Sequence, residues 1–188
     1  MEQELSRRLL DFLDGSPSCY HAVDNLARRL EAEGYERLRE AQPWTLQSGG
    51  KYYVVRGDST LAAFRIPAGS PAGFMLAAAH SDSPTYKVRE EAEVPSAGGC
   101  VRLAVEPYGG MIAASWMDRP LSAAGRALVK TETGLESRLV DLGEPVAILA
   151  SLAIHMDREV NRKNEIDFSR HTQPIFALPG ADFREAVA

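Results

Sequence analysis

At 188 residues, with 45% hydrophobic and 25% charged residues, the sequence has the make-up of a globular protein with room for one ordinary domain or two small ones. A formal net charge of −5 without any Lys/Arg-rich block argues against a nucleic-acid surface. No apolar run is long enough to span a bilayer, the N-terminus has no apolar signal core, and Cys19 and Cys100 form no metal-type pair, so a reduced, cytoplasmic protein is expected.

Leu5, Leu9, Leu10, Phe12 and Leu13 recur at helical spacing, which predicts an amphipathic helix over residues 3–14 ended by Gly15. A second helix is expected to open with Ser16 as N-cap and Pro17 at its first position. Tyr20, Val23, Leu26, Ala27 and Leu30 form its buried stripe, and Gly34 supplies the stop. His21 lies beside that stripe and reads as a boundary or surface residue. After Pro43 and Trp44 the period becomes strand-like. Residues 51–56 and 60–66 are rich in β-formers around Gly57-Asp58-Ser59, which predicts a hairpin.

The apolar run Gly73-Phe74-Met75-Leu76-Ala77-Ala78-Ala79 then reads as a strand covered on both faces, and it stops at His80-Ser81-Asp82-Ser83-Pro84. Open α/β sheets place their chemistry just past the carboxyl ends of such strands. There His80 could ligate a metal, and Asp82, pointing the same way two residues on, could orient it. A hydrogen-bonded structural histidine followed by ordinary Ser-Pro turn chemistry is the other reading of the same residues.

Residues 88–99 lose all apolar period and read as a linker or domain crossing. Beyond it, short apolar runs at 101–105, 111–116, 123–130 and 135–142 suggest a compact β-rich module. Residues 146–156 are apolar throughout, as either a buried strand followed by a turn or a short helix. No Gly-x-Ser-x-Gly elbow supports a serine nucleophile, and neither cysteine has the setting of one.

Six stretches in order carry a family likeness: Ser16-Pro17-Ser18-Cys19-Tyr20-His21-Ala22-Val23, Ala79-His80-Ser81-Asp82-Ser83-Pro84, Val105-Glu106-Pro107-Tyr108-Gly109-Gly110, Ser115-Trp116-Met117-Asp118-Arg119-Pro120-Leu121, Ala124-Gly125-Arg126, and Ser151-Leu152-Ala153-Ile154-His155-Met156-Asp157-Arg158. Together they resemble the aspartyl aminopeptidase family of zinc metallopeptidases. The resemblance implies an α/β chain: an incomplete zinc-peptidase-like domain, residues 1–88, followed by a β-rich inserted dimerisation module, residues 89–188. It implies removal of N-terminal, preferentially acidic residues from peptides at a two-zinc centre, in a homo-oligomer that builds from dimers to a dodecamer. His80 then matches the first metal-binding histidine and Asp82 the carboxylate that positions it. His155 matches a histidine reaching towards the neighbouring subunit's site, there to hydrogen-bond the substrate or the developing oxyanion; a buried, hydrogen-bonded histidine at the end of an element is the other reading of that residue.

The family's other ligands (a bridging Asp, further carboxylates including the general base, and a second His) are implied to lie downstream in a longer chain. A two-metal peptidase needs both ions fixed about 3.5–4 Å apart, which one His and one carboxylate cannot achieve. The expectation is therefore a chain that binds zinc weakly and does not turn over peptide by itself. A non-catalytic assembly or regulatory module that keeps the dimer-forming surface is the alternative.

Overall fold

A computed structural model describes residues 2–70, 72–163, 165–178 and 180–187. The chain divides into two compact units, Met1–Ser83 and Pro84–Ala188.

The first unit opens with helix α1 (Glu2–Asp14) and helix α2 (Cys19–Ala32). The second helix starts later than the Ser-Pro pattern predicts. Ser18, not Ser16, is its N-cap, and its side chain accepts from the His21 amide at 3.4 Å. Ser16 and Gly15 instead receive the Asn25 side chain, which donates to the Gly15 carbonyl at 2.6 Å and to Ser16 Oγ at 3.2 Å, closing the corner between the helices. The C-terminal end follows the expectation for Gly34. At φ +78° it lets the Gly34 amide reach the Glu31 carbonyl and the Tyr35 amide reach the Leu30 carbonyl, a Schellman closure.

Strands β1 (Glu36–Leu38), β2 (Lys51–Arg56) and β3 (Thr60–Arg65) form a sheet in that order, β1 parallel and β3 antiparallel to β2. Gly57 and Asp58 both adopt positive φ, the twist-matching conformation of a tight hairpin turn. Val23 and Ala27 of α2 are buried, as are Leu38, Tyr52 and Tyr53 of the sheet. The Tyr53 hydroxyl donates to the Glu31 carboxylate, and the Tyr52 ring packs 5.7 Å from that of Phe64. Of the predicted α1 stripe, Phe12 lies under the Arg29 guanidinium at 4.7 Å, whereas Leu5, Leu9, Leu10 and Leu13 are exposed.

The largest departure is the apolar run. Residues 72–80 take no regular structure, and Phe74, Met75 and Leu76 are 92%, 102% and 92% exposed. The expectation of a buried strand is thus corrected. A doubly covered strand exists only when neighbours supply both its hydrogen bonds and its cover. Among the described residues nothing pairs with this segment, and the outer edge of β3 pairs with nothing either.

The second unit is β-rich. Strands β4 (Thr85–Pro95), β5 (Val101–Tyr108), β6 (Pro120–Leu121), β9 (Ala147–Ile148) and β10 (Ile175–Ala177) form one sheet in the order β4-β5-β10-β9-β6. Strands β7 (Ala124–Thr131) and β8 (Gly134–Asp141) pair separately as a two-stranded ribbon. Short helices α3 (Phe168–His171) and α4 (Phe183–Ala186) complete it. Residues 88–95, read as part of a linker, belong to β4. The register jumps from Val88↔Val105 to Glu93↔Leu103, so a bulge holds Arg89-Glu90-Glu91-Ala92 out of the ladder and erases the period-2 signal. Ala92, Leu103 and Phe183 form the core here, with the Phe176 ring edge-on to Phe183 at 5.4 Å. Residues 113–116, expected within a strand-length run, form a short 3-10 turn instead.

Candidate functional site

Chain path decides where His80 and Asp82 stand. The Ser81 hydroxyl donates to the Ser59 carbonyl at 2.8 Å, pinning the end of the exposed segment to the residue that begins the return from the β2–β3 turn. On either side of that pin, His80 and Asp82 turn towards each other, with His80 Nδ1 2.9 Å from Asp82 Oδ1. The carboxylate can only accept here, so Nδ1–H donates, and in the tautomer that this bond selects the lone pair lies on Nε2. The His80 side chain is 91% exposed and that of Asp82 is 31% exposed. A carboxylate that fixes tautomer and ring orientation while the opposite nitrogen faces outwards is how proteins prepare a histidine to ligate zinc. These residues therefore fit one ligand and its orienting group. Among the described residues no group of three or more His, Cys, Asp or Glu side chains gathers to complete a metal site.

The remaining histidines lie apart from this pair. His21 sits in the first turn of its helix and bonds the capping side chain, its Nδ1 2.8 Å from Ser18 Oγ, in keeping with a boundary residue. His171 Nδ1 accepts the Asp167 amide at 3.0 Å and closes the single turn of α3. There Asp167 accepts from the Ser169 amide and hydroxyl, and these bonds hold its carboxyl below the usual range. His155 stands in the second unit, exposed within a turn closed by the Met156 amide on the Ala153 carbonyl at 2.8 Å. The carboxylate pair Glu90-Glu91 sits in the β4 bulge, where Arg184 donates to the Glu90 carbonyl at 2.9 Å and lies 4.0 Å from the Glu91 carboxylate.

Sequence reading missed one functional-looking residue, Asp118. It holds φ +56°, its amide donates to the Leu149 carbonyl at 2.8 Å, and its Oδ1 accepts the Ser151 amide at 2.8 Å. Hydrogen bonds from Ser151, side chain first and backbone second, hold its carboxyl below the usual range. The two residues lie 33 positions apart, and no local pattern announces the pairing. An open depression of ≈ 470 Å³ against β9 and β10 is lined by Pro120, Pro145, Ile148 and Phe176 with Cys100 as its one titratable group, so it offers no converging polar groups for hydrolysis. No helix among the described residues is long and apolar enough to cross a membrane.

Known proteins resemble this chain over nearly its whole length. Residues 12–187 match the family described as aminopeptidase I zinc metalloprotease (M18). A probable M18 family aminopeptidase 2 of Pseudomonas paraeruginosa is 46% identical over 190 residues, covering 98% of this chain and 44% of the relative. Its counterpart in Azotobacter vinelandii is 44% identical, covering 98% and 43%. The chain thus spans less than half the length of the curated relatives it matches. Among solved structures, a chain of the Ape4 and Nbr1 complex superposes with TM-score 0.86 at 35% identity, covering 91% of this chain and 33% of that one. Chaetomium thermophilum mApe1 does so with TM-score 0.86 at 28% identity, covering 96% and 41%. The S. cerevisiae mApe1 dodecamer gives TM-score 0.74 at 28% identity, covering 96% and 40%. The family match across 12–187, the identities and the shared mixed α/β fold lead to one assignment: this chain belongs to the M18 family of aminopeptidase I zinc metalloproteases.

Proposed function

We propose that this chain carries one wall of a two-zinc aminopeptidase centre that removes N-terminal, preferentially acidic residues from peptides in the cytoplasm. The observation that carries the reading is the His80–Asp82 pair, its imidazole exposed at the end of an apolar run in a chain of the M18 family. In this reading His80 Nε2 ligates one ion and Asp82 holds the ring in the ligating tautomer. A bound zinc ion acts as a Lewis acid that polarises the scissile carbonyl. The other ligands come from polypeptide equivalent to the part of the relatives that this chain does not match. That polypeptide would also cover Phe74, Met75 and Leu76, the surface an α/β sheet normally buries.

Residues 1–88 then form the first part of the catalytic α/β domain and residues 89–188 the dimerisation module. The mApe1 structure described as a dodecamer supports a homo-oligomer assembled from such modules. His155, on its exposed turn, would extend to a neighbouring subunit's centre and hydrogen-bond the oxyanion. Peptide is the substrate, and the net charge of −5 gives no support for a nucleic-acid partner.

A second reading, a non-catalytic assembly or regulatory module, draws on the lack of any three-ligand cluster among the described residues. Native mass and zinc content of the purified chain separate the two. The aminopeptidase reading expects weak zinc binding that His80→Ala removes and Asp82→Ala weakens about tenfold or more, with no peptide turnover by the 188 residues alone. Unchanged zinc binding in His80→Ala defeats the ligand assignment, and hydrolysis by the pure chain defeats the claim of an incomplete centre.

A further inference from the structure

Of the stretches that carry the family likeness, Ser115–Leu121 has no part in the function so far described, and the structure gives its aspartate a task. Residues 117–121 run beside 147–149: Met117 bridges Leu149, Pro120 faces Ile148, and Leu121 faces Ala147. Leu149 is buried to 1% exposure and fixes the last point of that strand in the interior. Asp118 then grips the chain on both sides of residue 150, its amide on the Leu149 carbonyl and its carboxylate on the Ser151 amide. Four residues later comes His155, on a turn whose bonds, Met156 and Asp157 amides to the Ala153 carbonyl, are internal. The carboxylate's grip on Ser151 shortens the unanchored run up to and including His155 from residues 150–155 to residues 152–155, and each residue removed takes away a reach of roughly 3.3 Å. A hydrogen-bonding imidazole needs placement within about 0.5 Å, and that demands a fixed base.

We propose that Asp118 is a positioning residue for His155, its carboxylate fixing the point at which the chain leaves the sheet for the turn carrying that imidazole. The inference deepens the aminopeptidase reading and rests on it for the role of His155. An aspartate suits both halves of the task. It tolerates the left-handed backbone better than most residues, and its ionised oxygen is a strong acceptor for an amide.

The test is amide hydrogen exchange, read by NMR on the 188-residue chain. Asp118→Gly keeps the left-handed backbone at no steric cost and deletes only the acceptor, so it stays informative even if Asp118→Ala distorts the fold. Exchange at Ser151 is expected to rise about tenfold or more in both variants, and residues 152–156 to follow. Leu103, whose amide is held by the Pro174 carbonyl, is expected to stay as protected as in the parent. Asp118→Asn retains an acceptor and restores protection. In the parent, Ser151 protection falls as acid protonates Asp118, whereas the Asn variant shows no such pH dependence. Parental protection at Ser151 in Asp118→Gly overturns the proposal, as does a Ser151 amide whose protection ignores the ionisation of Asp118. In an assembly competent for peptide hydrolysis, Asp118→Gly should lower kcat several-fold with KM nearly unchanged, and Asp118→Asn should recover it. Unaltered kcat in His155→Ala would instead defeat the aminopeptidase reading of His155, while the exchange result at Ser151 would still stand or fall separately.

Discussion

Replacing Tyr53 by Phe deletes one oxygen from a side chain with no exposed surface, at the centre of β2. That hydroxyl donates to the Glu31 carboxylate of α2, so it ties helix to sheet. Burial first, then the hydrogen bond and charge of Glu31, push the Tyr53 phenol from 10.0 up to about 12. The raised value means that the folded state holds its phenolic proton more tightly than the unfolded state. The resulting stability is complete below pH 10 and is lost as pH rises through about 12. In full, the difference between folded and unfolded phenol corresponds to about 3 kcal/mol.

At neutral pH the variant forfeits a hydrogen bond to a charged acceptor while Glu31, being exposed, regains water, a net loss of about 1.5 kcal/mol. By pH 12 most of the ionisation-linked stability, about 2.3 kcal/mol, has gone, and the order of the two proteins reverses. The parent leads by about 1.5 kcal/mol below pH 10 and the variant by about 1 kcal/mol near pH 12. Urea unfolding of both proteins at intervals from about pH 7 to 12, followed by far-ultraviolet circular dichroism, measures that difference with other titrating groups cancelling. A stability difference that stays constant across this range would refute the reasoning, because it would mean that Tyr53 ionises as readily folded as unfolded.

In the second unit, Leu149→Ala is expected to destabilise by about 3 kcal/mol, the usual cost of a cavity at a fully enclosed leucine, and a urea-measured loss below about 1 kcal/mol would show that the site collapses freely. Met75→Glu puts a charge in the exposed apolar run and should weaken self-association of the chain about tenfold, measured by sedimentation. Equal association in parent and variant would mean that other surfaces, such as the α1 leucines, drive contact.

Legibility in the sequence follows the distance over which each signal acts. Helix α2 and strands β2 and β3 are readable because a glycine stop, β-branched and aromatic residues, and a tight turn all lie within a few positions. The α1 stripe announces its period but not its exposure, since amphipathicity names a face without naming its cover. The same gap explains residues 73–79: an apolar run reports a demand for neighbours, and pairing depends on strands elsewhere. In β4 the four bulged residues mask a strand by breaking its alternation, and α3 and α4 are too short to show a helical period. At the candidate site, the i, i+2 spacing is enough to bring His80 and Asp82 together. Asp118 and Ser151 meet only through the pairing of β6 with β9, and nothing local encodes it.

The strand order of the larger sheet has a consequence for synthesis on the ribosome. Its middle member, β10, is the last strand made, and it joins a β4–β5 pair to a β9–β6 pair that otherwise share no hydrogen bonds in the sheet. Until residue 177 has left the exit tunnel, the nascent module consists of two separate hairpin-like halves, each offering a bare backbone edge at what will become the centre. The vulnerable interval of this module therefore lasts until β10 emerges, and a nascent chain stalled before Ile175 would present two sticky borders in place of one continuous sheet.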